Sequence, residues 1–373
     1  MHPVWDIQFL VYWNLKRREE GENPEETVKQ IVDAIVNLRD EETAYGLIYG
    51  LTNIEAYKQE LFGLFEPSLE VPDYMDEAKK ARLYAFSLRS MWYKLERFEK
   101  SLEATTKAVE IFEKLIKTDE KFKEELAEAY HNRGTVHSAK GKYDLAIQDY
   151  NKAIEINPKL AVAYSNRGSA HSSKGEYDLA IQDFDEAIEI NPKDAEAYYN
   201  RGSAHSSKGE YDLAIQDFDK AIEINPKYAE AYSNRGNAHY EKGEYDLALL
   251  DFDKAIEINP KDAMAYSNRG NTHLAKGEYD LALLDYNKAI KINPKYADAY
   301  YNRGNAHYEK GEYDFCVTDW SNAGFLFLIR AYKENPAFLE NAITFIAQAF
   351  NFDKSEHVIK FEAGAALSAI LKP

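Results

Sequence analysis

Between residues 127 and 330 the same 34-residue pattern recurs six times, and this period limits the fold more than any other feature of the chain. Two neighbouring copies, residues 161–194 and 195–228, differ at only four positions. Copies this alike leave little room for a unique catalytic constellation. They suit a surface that presents one chemistry repeatedly along its length. The sequence points to a binding scaffold.

Each copy carries two helical patterns divided by a breaker. In the third, Tyr198, Gly202 and His205 fall at i, i+4 and i+7, one face of a helix. Gly209 suits the left-handed residue that closes this helix. A second helix, predicted from Tyr211 to Ile224, puts Ala214, Phe218, Ala221 and Ile222 on one stripe. Asn225-Pro226 stops it, because proline lacks an N–H and disfavours helix at the residue before it. Gly202, Ala214 and Ala221 let the two helices approach, while Tyr198, Tyr211 and Phe218 fill the space between them. A lone pair cannot bury that stripe, so neighbouring pairs must stack.

An aromatic at repeat position 4, Gly at 8, Ala at 20, an aromatic at 24, Ala at 27 and Pro at 32 together resemble the tetratricopeptide repeat family. The six units begin at Ala127, Ala161, Ala195, Ala229, Ala263 and Ala297. The resemblance implies an all-α fold, an α-solenoid of helix-turn-helix repeats wound as a right-handed superhelix, with helical flanks at both ends. It also implies that the first helix of each repeat lines a concave groove. One family position departs throughout. Where a bulky apolar residue is usual at position 7, this chain has Arg133, Arg167, Arg201, Arg235, Arg269 and Arg303. Position 23 carries Asp149, Asp183, Asp217, Asp251, Asp285 and Asp319, which suggests a structural Arg–Asp pair inside each repeat. Replacing Arg235 by Leu is then expected to be tolerated or even stabilising, and Asp251→Ala alone to destabilise.

Four regions are expected: an irregular helical segment 1–81, a degenerate repeat-like helix pair 82–126, the six repeats 127–330, and a helical cap 331–373. Before the repeats, helical patterns fall at 4–19, 24–38, 43–51, 54–65 and 75–95. In the helix pair, Phe98, Ala108 and Ile111 keep the repeat's register, while Arg89 replaces its glycine and Thr105 its aromatic. After Asp319 the apolar run Trp320, Ala323, Phe325, Leu326, Phe327, Leu328 and Ile329 carries the sixth second helix past its normal stop. Two apolar patterns follow, at 337–350 and 355–371, and leave self-association through this cap open.

A net charge of −18 argues against nucleic acid and anionic membrane as partners. Most repeat carboxylates fall on the second helix or the turn before it, which suggests a solvated outer face. The single cysteine, Cys316, occupies a packed small-residue position and rules out an internal disulfide. The first twenty residues read neither as a signal peptide nor as a membrane span, so a cytoplasmic protein is expected.

The histidines at position 11 (His137, His171, His205, His239, His273 and His307) form a ladder, not a cluster. Stacked helices separate equivalent atoms by about 8–10 Å, whereas metal ligands must converge to about 2 Å from one ion. No metal or other cofactor is expected. These histidines are predicted to be core residues with one ring nitrogen hydrogen-bonded. No phosphate loop, HExxH or nucleophile elbow occurs, and the chain is expected not to be an enzyme.

A column of amides carries the stronger functional signal. Position 6 is Asn132, Asn166, Asn200, Asn234, Asn268 and Asn302. An amide both donates and accepts, matching the N–H and C=O of an extended peptide. The column is similar to the asparagine ladders of the O-linked N-acetylglucosamine transferases and the kinesin light chains. Position 9 changes from Thr135, Ser169 and Ser203 to Asn237, Asn271 and Asn305, and position 12 from Ser138, Ser172 and Ser206 to Tyr240, Leu274 and Tyr308. Repeats four to six therefore hold the predicted principal peptide site. The carboxylate clamp known in the family lacks its cations here, which puts acidic-tail recognition in doubt.

The expected function is a non-enzymatic scaffold or adaptor holding an extended segment of a protein partner. Alternatives are a peptide-sensing regulator with an N-terminal effector region, a self-assembling structural protein, and a non-catalytic subunit that positions substrates for an enzyme.

Overall fold

A computed structural model describes residues 97–333 without a break. Before them it describes helix Glu77–Arg82 and positions 13, 16, 17, 21, 84, 85, 89 and 93. The patterns expected at 4–19, 24–38, 43–51, 54–65, 337–350 and 355–371, and most of 75–95, lie outside the described residues. All secondary structure within them is helical.

The described residues fall into two compact units, the first ending at Pro192 and the second beginning at Lys193. The first unit holds α1 (Glu77–Arg82), α2 (Phe98–Leu115), a 3-10 turn Glu120–Phe122, α3 (Lys123–Ala139), α4 (Tyr143–Ile156), α5 (Ala161–Ser173) and α6 (Tyr177–Ile190). The second holds α7 (Ala195–Ser207), α8 (Tyr211–Ile224), α9 (Ala229–Glu241), α10 (Tyr245–Ile258), α11 (Ala263–Ala275), α12 (Tyr279–Ile292), α13 (Ala297–Glu309) and α14 (Tyr313–Lys333). From α3 onward, successive helices pair into the six predicted hairpins. α3 starts four residues before Ala127, led in by the 3-10 turn whose Asp119 side chain accepts from the Lys121 amide at 3.1 Å.

The hairpin turn follows from one glycine. Gly209 has φ +76°; its amide donates to Ser206 O and the Glu210 amide to His205 O, both at 2.9 Å. This is the Schellman pattern, which satisfies the carbonyls left open at the end of α7. At the other end of the hairpin, Asn225 Oδ1 accepts from the Lys227 amide at 3.1 Å, and Pro226 prevents continuation. Asp194 and Asp262 cap α7 and α11 by accepting from the amides two and three residues on.

Close approach holds each hairpin together. A Cβ added to Gly202 would lie 2.9 Å from the Phe218 ring and 3.1 Å from Ala214 O. Phe218, Ala214 and Ala221 are fully buried. Burying one such phenylalanine contributes about 1.5–3 kcal/mol. In the degenerate pair the sizes are exchanged: Thr105 leaves room where the aromatic would sit, and Arg89 stands where the glycine would. The fully buried Ser101 donates to Arg89 O at 3.0 Å. Cys316 is fully buried as expected, and burial pushes its thiol up to about 11.

In the second unit, α8, α10 and α12 each pack on the first helix of the next hairpin, and the first helices α7, α9, α11 and α13 touch in series. α3 and α5 touch likewise in the first unit. Ion pairs join adjacent hairpins: Lys242–Asp212 at 2.8 Å, Lys276–Asp246 at 2.6 Å, Lys310–Asp280 at 2.8 Å, Arg269–Asp253 at 2.5 Å, and Arg235 with Asp219. α14 runs seven residues beyond the length of its counterparts, and its Leu326 and Phe327 cover Ala297. No helix among the described residues is long and apolar enough to cross a membrane.

Candidate functional site

The position-7 arginines lie where the sequence puts them, each gripping the position-23 aspartate of its own hairpin. Nη2 reaches one carboxylate oxygen at 2.5–2.6 Å and Nε a carboxylate oxygen at 2.8–3.0 Å in all six repeats. Each guanidinium also lies 5.3–5.5 Å from the ring of the tyrosine at position 4. The aspartates are buried and bidentate pairing compensates them. These arginines are held against the second helices and are structural.

Five histidines close the turn. His171, His205, His239, His273 and His307 place Nδ1 2.6–2.7 Å from the glutamate five residues on. A lysine beside each glutamate binds its other oxygen; in the third repeat Lys208 does so at 2.6 Å and, ahead of His205, holds the Glu210 carboxyl below its usual value. His137 departs from the prediction, because Lys142 stands where the glutamate would be and its buried Nδ1 has no hydrogen-bond partner. Nor is the ladder fully core: these rings are half-buried. Among the described residues no group of three or more His, Cys, Asp or Glu is gathered to hold a metal.

The amides are engaged with one another. Asn268 Nδ2 donates to Asn237 Oδ1 at 3.0 Å and Asn302 Nδ2 to Asn271 Oδ1 at 2.9 Å, so position 6 of one repeat binds position 9 of the repeat before. Asn234 Nδ2 donates to Tyr199 Oη at 3.0 Å and reaches position 9 of its predecessor, Ser203 Oγ, only at 3.5 Å. Second-helix aromatics anchor the same amides: Tyr286 Oη donates to Asn271 Oδ1 at 2.8 Å and Trp320 Nε1 to Asn305 Oδ1 at 2.9 Å. Asn268 and Asn302 each keep a carbonyl oxygen and one N–H, Asn234 keeps its carbonyl oxygen, and all three are half-buried. Asn200 is also half-buried.

In the first unit the column behaves differently. Asn132 is buried, accepting from Arg89 Nη2 at 2.8 Å and donating to Ala85 O at 3.4 Å. Arg89 and Ala85 take up its amide, so its expected peptide role is not open to a ligand. Asn166 Nδ2 lies 2.8 Å from His131 Nε2. Burial and then the charge on Arg89 push His131 down to about 4, so its neutral ring accepts from Asn166. The hydroxyls of Thr135 and Ser169 turn back to carbonyls of their own helix at 3.0 Å.

Position 12 is less open than the sequence suggests, because it faces the start of the second helix across the turn. Tyr240 is half-buried with its ring 5.5 Å from that of Tyr245. Leu274 is half-buried against the cluster of Ala282, Leu283, Tyr286 and Ala306. Tyr308 alone of the three is exposed, at 42%, and its ring lies 5.9 Å from that of Trp320.

The second-helix outer face is not uniformly polar. Position 19 exposes a leucine 42–47% in each of the first five repeats and Phe315 63% in the sixth. In repeats four and five Leu250 and Leu284 stand 65% exposed one turn further on, where earlier repeats have glutamine. Helical spacing alone reads such leucines as core; the change from Gln148, Gln182 and Gln216 was the available signal.

Models described as tetratricopeptide repeat match residues 127–160 and 229–262, and 149–182 and 252–283. A model described as TPR repeat matches 172–209, 202–243 and 270–311. The crystal structure of MamA shares 31% identity over 44% of this chain and 96% of its own, with a TM-score of 0.41. A tetratricopeptide repeat protein from Parabacteroides merdae is 22% identical over 72% of this chain and 99% of its own, with a TM-score of 0.55. The APC/C hetero-tetramer Cut9–Hcn1 gives 17%, 75%, 49% and 0.52 in the same order. No curated protein matches the sequence.

Proposed function

Because the chain belongs to the tetratricopeptide repeat family and is a protein-interaction scaffold, we propose that it holds an extended segment of a protein partner on the first helices of repeats four to six. The observation that carries this reading is the run of amides from Asn234 through Asn237, Asn268, Asn271 and Asn302 to Asn305. The bonds Asn268–Asn237 and Asn302–Asn271 fix the side chains in place. Fixed amides cost little further ordering when a ligand arrives. Asn268 and Asn302 each still offer a carbonyl oxygen and an N–H, and Asn234 a carbonyl oxygen, the complement of an extended backbone. Tyr308 supplies an exposed aromatic at the end of the run. Backbone recognition of this kind tolerates many sequences, as an adaptor requires.

A displayed library of random 12-residue peptides, selected on the full chain, tests the reading. Selected peptides should bind at least ~10-fold more weakly to the Asn234→Ala/Asn268→Ala/Asn302→Ala variant. Helicity measured by circular dichroism should remain. Equal binding to both proteins would place the peptide site elsewhere.

A further inference from the structure

The charges of the second unit are sorted between its two kinds of helix. On the second helices and turns most carboxylates are matched: Asp246 with Lys276, Asp280 with Lys310, Asp253 with Arg269, Glu257 with Lys254, Glu223 with Lys220. The first helices differ. Glu196, Glu230, Glu241 and Glu309 are exposed and form no ion pair among the described residues. Asp298 is exposed in part; desolvation raises its carboxyl above the usual value, and the charge of Arg330 opposes this. The cations of α9, α11 and α13 are Arg235, Arg269 and Arg303, each drawn to a buried aspartate on the far side. Their histidines are tied to turn glutamates.

These carboxylates border the amides. Glu230, Asn234, Asn237 and Glu241 follow one another at i, i+4, i+7 and i+11, a single stripe along α9. Asp298, Asn302, Asn305 and Glu309 repeat the stripe on α13. Between them α11 offers Met264, Asn268, Asn271 and Ala275, with Met264 59% exposed. At 1.5 Å per residue each carboxylate stands about 6 Å along the helix from the nearest amide. A chain crossing the amides therefore has carboxylates within side-chain reach on both sides. Successive side chains of an extended chain point to opposite sides.

We propose that the segment held on this face is cationic, its lysine or arginine side chains meeting Glu230 and Asp298 on one border and Glu241 and Glu309 on the other. The inference rests on the amide reading above and adds the partner's chemistry. α9 and α13 are two helices apart, about 16–20 Å, which an extended chain spans in five or six residues at about 3.3 Å each. The basic residues then fall in two groups about that far apart, with an apolar residue between them against Met264. An acidic segment would meet repulsion from these carboxylates.

Three fluorescein-labelled 12-residue peptides, identical except for Lys, Gln or Glu at the charged positions, test this by anisotropy with the full chain. The Lys peptide should bind at least ~10-fold tighter than the Gln peptide, weakening as salt rises, and the Glu peptide should bind least. Glu230→Gln/Glu241→Gln/Glu309→Gln should weaken the Lys peptide at least ~10-fold; Glu223→Gln/Glu257→Gln on the second helices should not. Equal losses in both variants mean attraction to overall acidity and overturn the proposal. Lys and Gln peptides that bind alike, and are both lost on Asn234→Ala/Asn268→Ala/Asn302→Ala, leave the amide reading standing and remove the cationic one. No binding by any peptide defeats both.

Discussion

At the scale of the residue, the Arg–Asp pairs show what a sequence can and cannot carry. Positions 7 and 23 depart from the family pattern in step, so the pairing itself was legible. Which partner lies deeper was not. Asp251 is 5% exposed, whereas the Arg235 side chain keeps 21% and a second carboxylate, Asp219. This burial argues against tolerance of Arg235→Leu, since that change strands the deeper charge. Arg235→Leu and Asp251→Ala should each destabilise, by roughly 2–4 kcal/mol after allowing for partial exposure. Arg235→Leu/Asp251→Leu should recover much of the loss, because no charge remains buried. Urea unfolding of all three variants checks this, and an unaltered Arg235→Leu midpoint would overturn it. Asn132 was illegible for a related reason. Its partner Arg89 lies in a pair whose register the sequence preserves only in part.

At the scale of the element, glycine does two separate jobs within each hairpin. Gly202 is required for space and Gly209 for backbone conformation. Gly202→Ala should lose about 1–3 kcal/mol, because its Cβ would crowd both the Phe218 ring at 2.9 Å and the Ala214 carbonyl at 3.1 Å, and the latter is backbone and cannot step aside. Gly209→Ala meets no atom within 4 Å and should lose about 1–2 kcal/mol through φ +76° alone. The two are separable. A partner change Phe218→Leu should partly rescue Gly202→Ala and do nothing for Gly209→Ala; melting temperatures of the four proteins decide it. Helix ends were legible wherever glycine or Asn-Pro marks them. The early start of α3 was not, because it depends on the 3-10 turn that Asp119 caps, a local bond without a periodic signature.

At the scale of the whole molecule, a chain of net charge −18 carries exposed leucine at Leu247, Leu250, Leu281 and Leu284. Leu250→Gln/Leu284→Gln, the residue type of the earlier repeats, should leave stability within about 0.5 kcal/mol per site, since both side chains are largely solvated already. Binding of a hydrophobic dye should fall. A large drop in melting temperature would show instead that these leucines are covered. The hydrogen bonds and ion pairs between hairpins have a further consequence. Arg235 reaches back to Asp219 and Arg269 to Asp253, while Arg167 and Arg303 reach Asn151 and Asn287 at the same offset. Each of these four junctions sets an Asp or Asn sixteen residues before its arginine. An extra copy of residues 195–228, spliced in frame, would thus find both of its neighbours ready-made. The number of copies can change by duplication or loss without a single compensating substitution, so a lineage can adjust how much partner chain is read before it adjusts what is read.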